Sequence, residues 1–392
     1  MTDARGNGRQ LGLALTAFTV TFYGWALLGP LGPQLQEDLG LSDLQLSAAV
    51  AVPVLLGSLM RIPMGVLTEH YGGRRVFTWL LAYTIVPLLL LAAIHDSLGA
   101  IIALGFLLGF AGASFAVGVP FVNRWYPPER QGAALGIYGA GMGGTVLAGL
   151  TAPRISDAVG ISAAFLFAAG LVAVVLVVWI ALARDAPVAA PKVSIRDPIA
   201  VLGTGARAWG LVLFYFLAFG GFVAMYLYLP KLLTGVHDLS KTDAGARAAG
   251  FALLAVIGRP LGGVTADRVG AERVLNVSFA AVFVLALGLA AGYESMVPLT
   301  ICCLTMALAL GLGTGAVFKL VPVWYPDRVG AVTGVVGAAG GLGGFFPPLV
   351  MGVVKSATGG YALGFILMAL VALACLVVLR ALEAAGARQS AA

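Results

Sequence analysis

Hydrophobic positions along this chain form long continuous runs rather than alternating with polar ones. An α-helix of about 20 apolar residues spans the hydrocarbon core of a bilayer. Twelve runs of roughly that length occur, at 11–36, 43–68, 76–94, 98–123, 130–152, 161–183, 208–232, 244–266, 274–292, 297–323, 328–352 and 361–382. The pattern therefore predicts an all-α membrane protein with twelve transmembrane helices.

The polar stretch 184–207 divides the runs into two sets of six. It reads RDAPVAAPKVSIRDPIAVLGTGAR and is too short to form a domain. We therefore expect a six-helix half at 1–183, a cytoplasmic linker at 184–207 and a second six-helix half at 208–392. The first run is too long for a signal peptide and lacks a small-residue cleavage site, so we expect it to be retained.

The two halves repeat each other in sequence. RIPMGVLTEHYGGRRV (61–76) aligns with RPLGGVTADRVGAERV (259–274) at an offset of 198 residues. WYPPERQGAALG (125–136) aligns with WYPDRVGAVTG (324–334) at an offset of 199 and, after one deletion, 198. An even number of spans in each half predicts parallel repeats, and carriers built this way bind their substrate at the repeat interface.

Composition supports the membrane assignment. The chain is 60% hydrophobic and 10% charged, whereas a soluble domain carries about 25% charged residues. Fifteen of the 23 Lys and Arg residues lie at the termini or in even-numbered loops, and five lie in odd-numbered loops. By the positive-inside rule both termini are cytoplasmic, in the inner membrane. Basic residues at segment ends indicate contact with a lipid bilayer and not with nucleic acid.

The spacing of the three cysteines suggests neither a disulfide nor a metal site, and we expect no cofactor.

Three cations remain inside the predicted spans: Arg61, Arg259 and Lys319. All 17 acidic residues fall in loops or at helix ends. A charge at the bilayer centre costs about 2.5–3.5 kcal/mol, and such residues usually serve a substrate path. Because the guanidinium fork binds planar oxyanions bidentately, the twinned arginines predict a nitrate, nitrite or carboxylate ligand. For Lys319, near a span end, a path role and snorkelling to the interface both stay open.

The loops after the second and eighth helices, GVLTEHYGGRR and GGVTADRVGAER, resemble the G-x-x-x-D-R-x-G-R-R loop of the major facilitator superfamily. The resemblance implies the major facilitator fold and a cytoplasmic gate. It assigns gating roles to Glu69, Arg75, Asp267 and Arg273.

Two longer stretches resemble the signatures of the nitrate/nitrite porter family within that superfamily. They are GASFAVGVPFVNRWYPPERQGAALGIYGAGMGGT (112–145) and GAVFKLVPVWYPDRVGAVTGVVGAAGGLGGFFPPLVMG (315–352). The resemblance implies an anion clamp of Arg61 and Arg259, a hydroxyl from Tyr215, and ring walls from Phe115 and Phe219, with Phe22 a weaker candidate. It adds Met142, Gly143 and Gly340 of the glycine runs. The family's usual asparagines are replaced at Met142–Gly143 and at Thr314, which leaves nitrate against nitrite open.

The resemblance implies a secondary transporter that works by alternating access, and not an enzyme. Facing arginines without an anion would repel each other, which favours nitrate/nitrite exchange. Nitrate assimilation is the role we expect, and respiration stays open. Proton-coupled nitrate symport and a carrier of another small oxyanion, such as a carboxylate, stay open. We expect a monomer whose partner is the nitrate or nitrite anion.

Overall fold

The computed structural model describes residues 6–187, 200–325 and 329–391. In this described part every regular element is a helix, and twelve helices are long and apolar enough to cross a membrane. The prediction of twelve transmembrane helices is confirmed. The centre of the expected linker (188–199) and residues 326–328 of the second signature lie outside the described residues.

Four of the first six membrane helices are interrupted near their middles. The first six helices are α1 (Gly8–Trp25 and Leu28–Leu39), α2 (Asp43–Leu59 and Arg61–Tyr71), α3 (Gly73–Ala93), α4 (Leu98–Leu108 and Ser114–Asn123), α5 (Pro128–Gly139 and Gly144–Val159) and α6 (Ile161–Leu182). In α4 and α5 the two segments are joined by 3₁₀ turns, Gly109–Ala113 and Ala140–Gly143. Small residues dominate these turns, where hydrogen bonds run from residue i to i+3.

The last six membrane helices are each a single uninterrupted α-helix. They are α7 (Ala206–His237), α8 (Lys241–Val269), α9 (Ala271–Gly292), α10 (Met296–Trp324), α11 (Val329–Thr358) and α12 (Ala362–Ala391). The α2–α3 and α8–α9 turns are matched: Gly72 has φ of 82° and Gly270 has φ of 94°. Only glycine adopts such φ values readily, which explains the glycine shared by the two loop motifs.

The chain forms two compact units. The first comprises Met1–Ile195 and Tyr226–Gly250, and the second comprises Arg196–Met225 and Phe251–Ala392. In the first unit α3 packs along α6, and α1 packs against α5 and α6; in the second, α9 packs along α10 and α12. Helix α7 crosses the boundary at 225/226, and helix α8 crosses the boundary at 250/251. The end of α7 and the start of α8 therefore belong to the same unit as the first six helices.

Aliphatic side chains cover much of the outer surface. On α6, Val174 and Val177 are 64% and 67% exposed. A bilayer solvates such side chains, whereas water would penalise a surface built largely from them. The exposed aliphatic surface therefore fits the span prediction.

Candidate functional site

Arg61 lies at the interruption of α2. It is the first residue of the second segment, directly after Met60, and its side chain is only 3% exposed. Its Nε–H donates to the carbonyl oxygen of Gly112, at 3.4 Å, within the 3₁₀ turn of α4. A guanidinium carries five N–H groups, and this bond uses one of them.

Arg259 lies inside the unbroken helix α8 and is half-buried. Its guanidinium carbon is 5.6 Å from the centroid of the Phe318 ring on α10. This distance is within the range of cation–π attraction. Phe318 was not among the residues predicted from the sequence, although it stands in the GAVFKL string of the second signature.

Phe318 also contacts Tyr215. The two rings meet edge to face with centroids 4.8 Å apart. Tyr215 lies parallel to Phe219, with a centroid distance of 5.3 Å and an interplanar angle of 4°. The pair is four residues apart on α7, the spacing that places side chains on one helix face. Gly340 of α11 lies against Tyr215, since a Cβ there would be 2.2 Å from the ring.

The second unit therefore brings four of the predicted residues into one cluster. Arg259, Tyr215, Phe219 and Gly340 join Phe318, and we call this set the aromatic–arginine cluster. Tyr215 is 1% exposed and Phe219 is 3% exposed. The cluster combines a fixed cation, stacked rings and a tyrosine hydroxyl, which suits a small planar anion.

The predicted residues of the first unit lie around α4 and α5. Phe115 is half-buried, 5.8 Å from Phe18 and 6.0 Å from Tyr138 between ring centroids. Met142 is buried, whereas a Cβ at Gly143 would meet open space.

Phe22 is 1% exposed and packs on Phe18 and Trp25. Phe22 therefore packs among the rings of α1.

Thr314, which occupies one of the family's asparagine positions, is buried at 3% exposure. Its hydroxyl donates to the carbonyl oxygen of Leu310 at 2.8 Å, one turn back in the same helix. An asparagine amide could offer two N–H donors where this hydroxyl offers one, already engaged.

The predicted gate residues divide into two classes. The two acids form ion pairs within their own units, Glu69 with Arg124 and Asp267 with Lys319. Arg75 and Arg273 are instead exposed at the starts of α3 and α9. Lys319, expected as a cation inside the span, therefore has a carboxylate partner. Arg124 was not predicted, because it lies 55 residues from Glu69.

Arg74 and Asp185 add a contact at the same loop. The backbone N–H of Arg74 donates to the Asp185 carboxylate at 2.9 Å, and the Arg74 guanidinium donates to the Ile180 carbonyl at 2.9 Å. A carboxylate at the start of α3 is favoured by the helix dipole. The beginning of the linker is thereby fixed to the loop between α2 and α3.

Comparison with known proteins gives a consistent result. A family model described as Major Facilitator Superfamily matches residues 14–318 and 232–392. A probable nitrate/nitrite transporter NarK2 of Mycobacterium tuberculosis is 40% identical over 94% of this chain and 95% of its own length. A nitrite extrusion protein of Bacillus subtilis is 40% identical, covering 94% of this chain and 92% of its own. A probable nitrate transporter NarT of Staphylococcus epidermidis is 35% identical, covering 92% of each.

Solved structures share the fold at lower sequence identity. The human organic anion transporter MFSD10 has a TM-score of 0.76 at 18% identity, over 95% of this chain and 99% of its own. A bacterial homologue of the human lysosomal transporter Spinster, inward-facing and occupied, has a TM-score of 0.72 at 17% identity, over 96% of each chain.

Proposed function

We propose that this chain, which belongs to the Major Facilitator Superfamily and within it to the nitrate/nitrite porters, carries nitrate and nitrite across the cytoplasmic membrane. It is a multi-pass membrane transporter with twelve membrane helices. The names of its relatives, which cover nitrate and nitrite, supply the substrate class. We place both termini in the cytoplasm, from the distribution of Lys and Arg, and propose a monomer.

The observation that carries the proposal is the pair of matching arginines, one in each repeat. Arg61 and Arg259 occupy equivalent positions at an offset of 198 residues. Arg61 is 3% exposed, and Arg259 belongs to the aromatic–arginine cluster. In our proposal the two guanidiniums bind one planar anion through parallel hydrogen bonds, while Tyr215 donates a hydroxyl and Phe115 and Phe219 pack on its faces.

We propose exchange as the mode of transport. With no anion bound, two like charges brought to one site oppose closure, so the empty carrier returns slowly. A carrier with this property moves nitrate one way only as it moves nitrite the other. Proton-coupled symport is the alternative, in which a proton accompanies the anion and the gradient drives net uptake.

Counterflow in proteoliposomes tests this mode. Vesicles loaded with nitrite and vesicles loaded with an inert anion are given labelled nitrate, each with and without an imposed pH gradient. Exchange predicts fast uptake only into nitrite-loaded vesicles. Strong gradient-driven uptake into nitrite-free vesicles would overturn obligatory exchange and support symport.

Competition tests the substrate class. Formate and acetate represent the rival substrate class, because each carries one planar carboxylate. We expect unlabelled nitrate and nitrite to suppress labelled nitrate uptake at concentrations where formate and acetate do not. Equal suppression by formate would assign the carrier to small carboxylates.

A further inference from the structure

The exposed residues of α3 form one continuous stripe along the helix. Exposed positions follow each other at intervals of four, three, four and four residues, at Arg75, Trp79, Ala82, Val86 and Leu90. Residues at these intervals lie on one face of a helix. The face is apolar apart from Arg75, which stands at one end of it. This stripe therefore suits the hydrocarbon of a bilayer, with a cation at its edge.

The length of α3 indicates how deep Arg75 lies. The helix Gly73–Ala93 has 21 residues and is about 31 Å long at 1.5 Å per residue, close to the hydrocarbon thickness of a bilayer. Arg75 is the third residue of this helix, and Trp79 follows about one turn further in. The guanidinium therefore lies at the level of the lipid headgroups, with the indole ring just beneath it.

Two exposed aromatic side chains accompany Arg75 at this level. Tyr71, the last residue of α2, is 51% exposed, and Trp79 is 50% exposed. Their rings meet edge to face across the α2–α3 turn, with centroids 5.6 Å apart. Tyrosine and tryptophan combine an apolar ring with a polar O–H or N–H, and both are enriched where a membrane meets water. The ring pair therefore gives this end of the stripe the chemistry of a membrane interface.

The neighbouring charges of the α2–α3 loop are engaged within the protein. Glu69 pairs with Arg124, and the Asp185 carboxylate accepts from the backbone N–H of Arg74. The Arg75 side chain makes no hydrogen bond or ion pair with another residue of the described ranges. An exposed guanidinium in this position is available to an anion from outside the protein.

We propose that Arg75, Tyr71 and Trp79 bind the headgroup of an anionic phospholipid, and we call these three residues the lipid site. The guanidinium binds phosphate oxygens through parallel N–H groups, and the acyl chains follow the apolar stripe of α3. A cation at a membrane surface attracts anionic lipids, which supplies the charge complementarity. The lipid site is independent of which anion the protein transports.

The second repeat offers a comparison within the same chain. Arg273 occupies the position of Arg75 at an offset of 198 residues and is also exposed, at the start of α9. Valine stands in place of both aromatic residues, at Val269 and Val277. The second repeat therefore keeps the cation without the rings, and we expect it to retain anionic lipid more weakly.

Native mass spectrometry of the purified protein tests the lipid site. Protein in detergent receives equal amounts of phosphatidylglycerol and phosphatidylcholine with the same acyl chains, and the ratio of the two bound lipids is measured. The unchanged protein is expected to retain more phosphatidylglycerol. Arg75→Gln is expected to lower the ratio at least threefold and Trp79→Leu about twofold, whereas Arg75→Lys keeps part of the preference. An unchanged ratio in Arg75→Gln would overturn the lipid site.

Arg74→Gln and Arg273→Gln are the matched controls, because each removes one positive charge. The Arg74 guanidinium donates to the Ile180 carbonyl oxygen, and Arg273 lacks the ring pair. Each control is expected to keep the lipid ratio within 1.5-fold of the unchanged protein. A loss in either control equal to that of Arg75→Gln would show attraction to charge alone and would overturn the lipid site.

Two further measurements separate lipid binding from other effects. Excess inorganic phosphate is expected to leave the bound phosphatidylglycerol in place, and its displacement would assign the site to a free anion instead. The melting temperature of each variant in detergent alone checks that it folds. Because the Arg75 side chain has no hydrogen-bond or ion-pair partner in the described part of the chain, Arg75→Gln should melt as the unchanged protein does.

Discussion

The two repeats share their arginine but surround it differently. Arg61 begins a helix segment at the interruption of α2 and donates to a backbone carbonyl, whereas Arg259 lies in the middle of an unbroken α8 against an aromatic ring. The position in the repeat is retained, while the contacts seen there include the Gly112 carbonyl for Arg61 and the Phe318 ring for Arg259. The two repeats therefore keep the cation in different packing.

Helix continuity distinguishes the helices beside the two arginines. In the first repeat the partner helix α4 contains a 3₁₀ turn, in which backbone hydrogen bonds have poorer geometry, and a carbonyl there can accept from Arg61. In the second repeat α10 is a regular helix whose carbonyls bond along the chain. There the Arg259 guanidinium lies against the Phe318 ring.

The largest expected effect comes from exchanging each arginine for lysine. Arg61→Lys and Arg259→Lys keep the charge and lose the planar fork. A hydrogen bond to a charged group contributes about 1.5–3 kcal/mol, so each change should weaken anion binding by about 10- to 100-fold. We expect the greater loss for Arg61→Lys, because an ammonium that donates to Gly112 cannot also present two parallel N–H groups to a planar anion. Calorimetric titration of nitrate measures this.

Arg154→Lys is the control for that pair, since its guanidinium donates to the Leu150 carbonyl of its own helix. It should bind nitrate as the unchanged protein does. Near-normal binding by both Arg61→Lys and Arg259→Lys would contradict the clamp.

The next largest effect is expected from Gly340→Ala in the second repeat, compared with Gly143→Ala in the first. Gly340→Ala places a methyl 2.2 Å from the Tyr215 ring, whereas Gly143→Ala places one in open space. Overpacking of this kind costs about 1–3 kcal/mol. We expect Gly340→Ala to lower thermal stability and to reduce nitrate uptake by about tenfold. Gly143→Ala should keep the thermal stability of the unchanged protein. Equal melting temperatures for the two variants would show that Tyr215 moves aside freely.

A smaller effect is expected from replacing an aromatic ring, Phe318 in the second repeat or Phe22 in the first. Phe318→Leu removes the ring between Arg259 and Tyr215, and cation–π contacts contribute about 0.5–2 kcal/mol. We expect KM for nitrate to rise by up to about tenfold, and Phe318→Tyr to retain most of the affinity. Phe22→Leu, in the packed core of the first repeat, should lower the melting temperature with KM unchanged. A rise in KM equal for both positions would remove the distinction.

The smallest effect concerns the ion pairs of the two predicted gate acids, Glu69 and Asp267. The side chains of Glu69 and Arg124 are 16% and 14% exposed, whereas those of Asp267 and Lys319 are 54% and 46% exposed. Exposed pairs contribute about 0–1 kcal/mol and are screened by salt. We expect Glu69→Gln to change turnover several-fold at any ionic strength, and Asp267→Asn to do so only at low ionic strength. Counterflow at two salt concentrations measures the difference, and the reverse order would contradict it.

The sequence was sufficient to predict the helices and the repeat, because long apolar runs and shared strings are local signals. It also identified Arg259, Tyr215, Phe219 and Gly340, which the structure gathers into one cluster. Their expected roles in binding remain predictions.

Other features depend on packing and leave no local pattern. Hydropathy does not distinguish the interrupted α2 from the continuous α8, because both read as apolar runs. Lys319 was expected as a cation inside the membrane, and its partner Asp267 lies 52 residues away in the chain. Lys241 pairs with Glu37, which lies 204 residues away in the chain. Such pairs form only when the helices assemble.

The open cavity beside Glu37 and Lys241 has a pharmacological consequence. It is lined by residues of α1 and α5 and by residues at the end of α7 and the start of α8, all within the first unit. A small molecule bound there would lie apart from Tyr215 and Arg259, which belong to the second unit. Such an inhibitor lowers the maximal rate at every nitrate concentration, so excess substrate cannot overcome it.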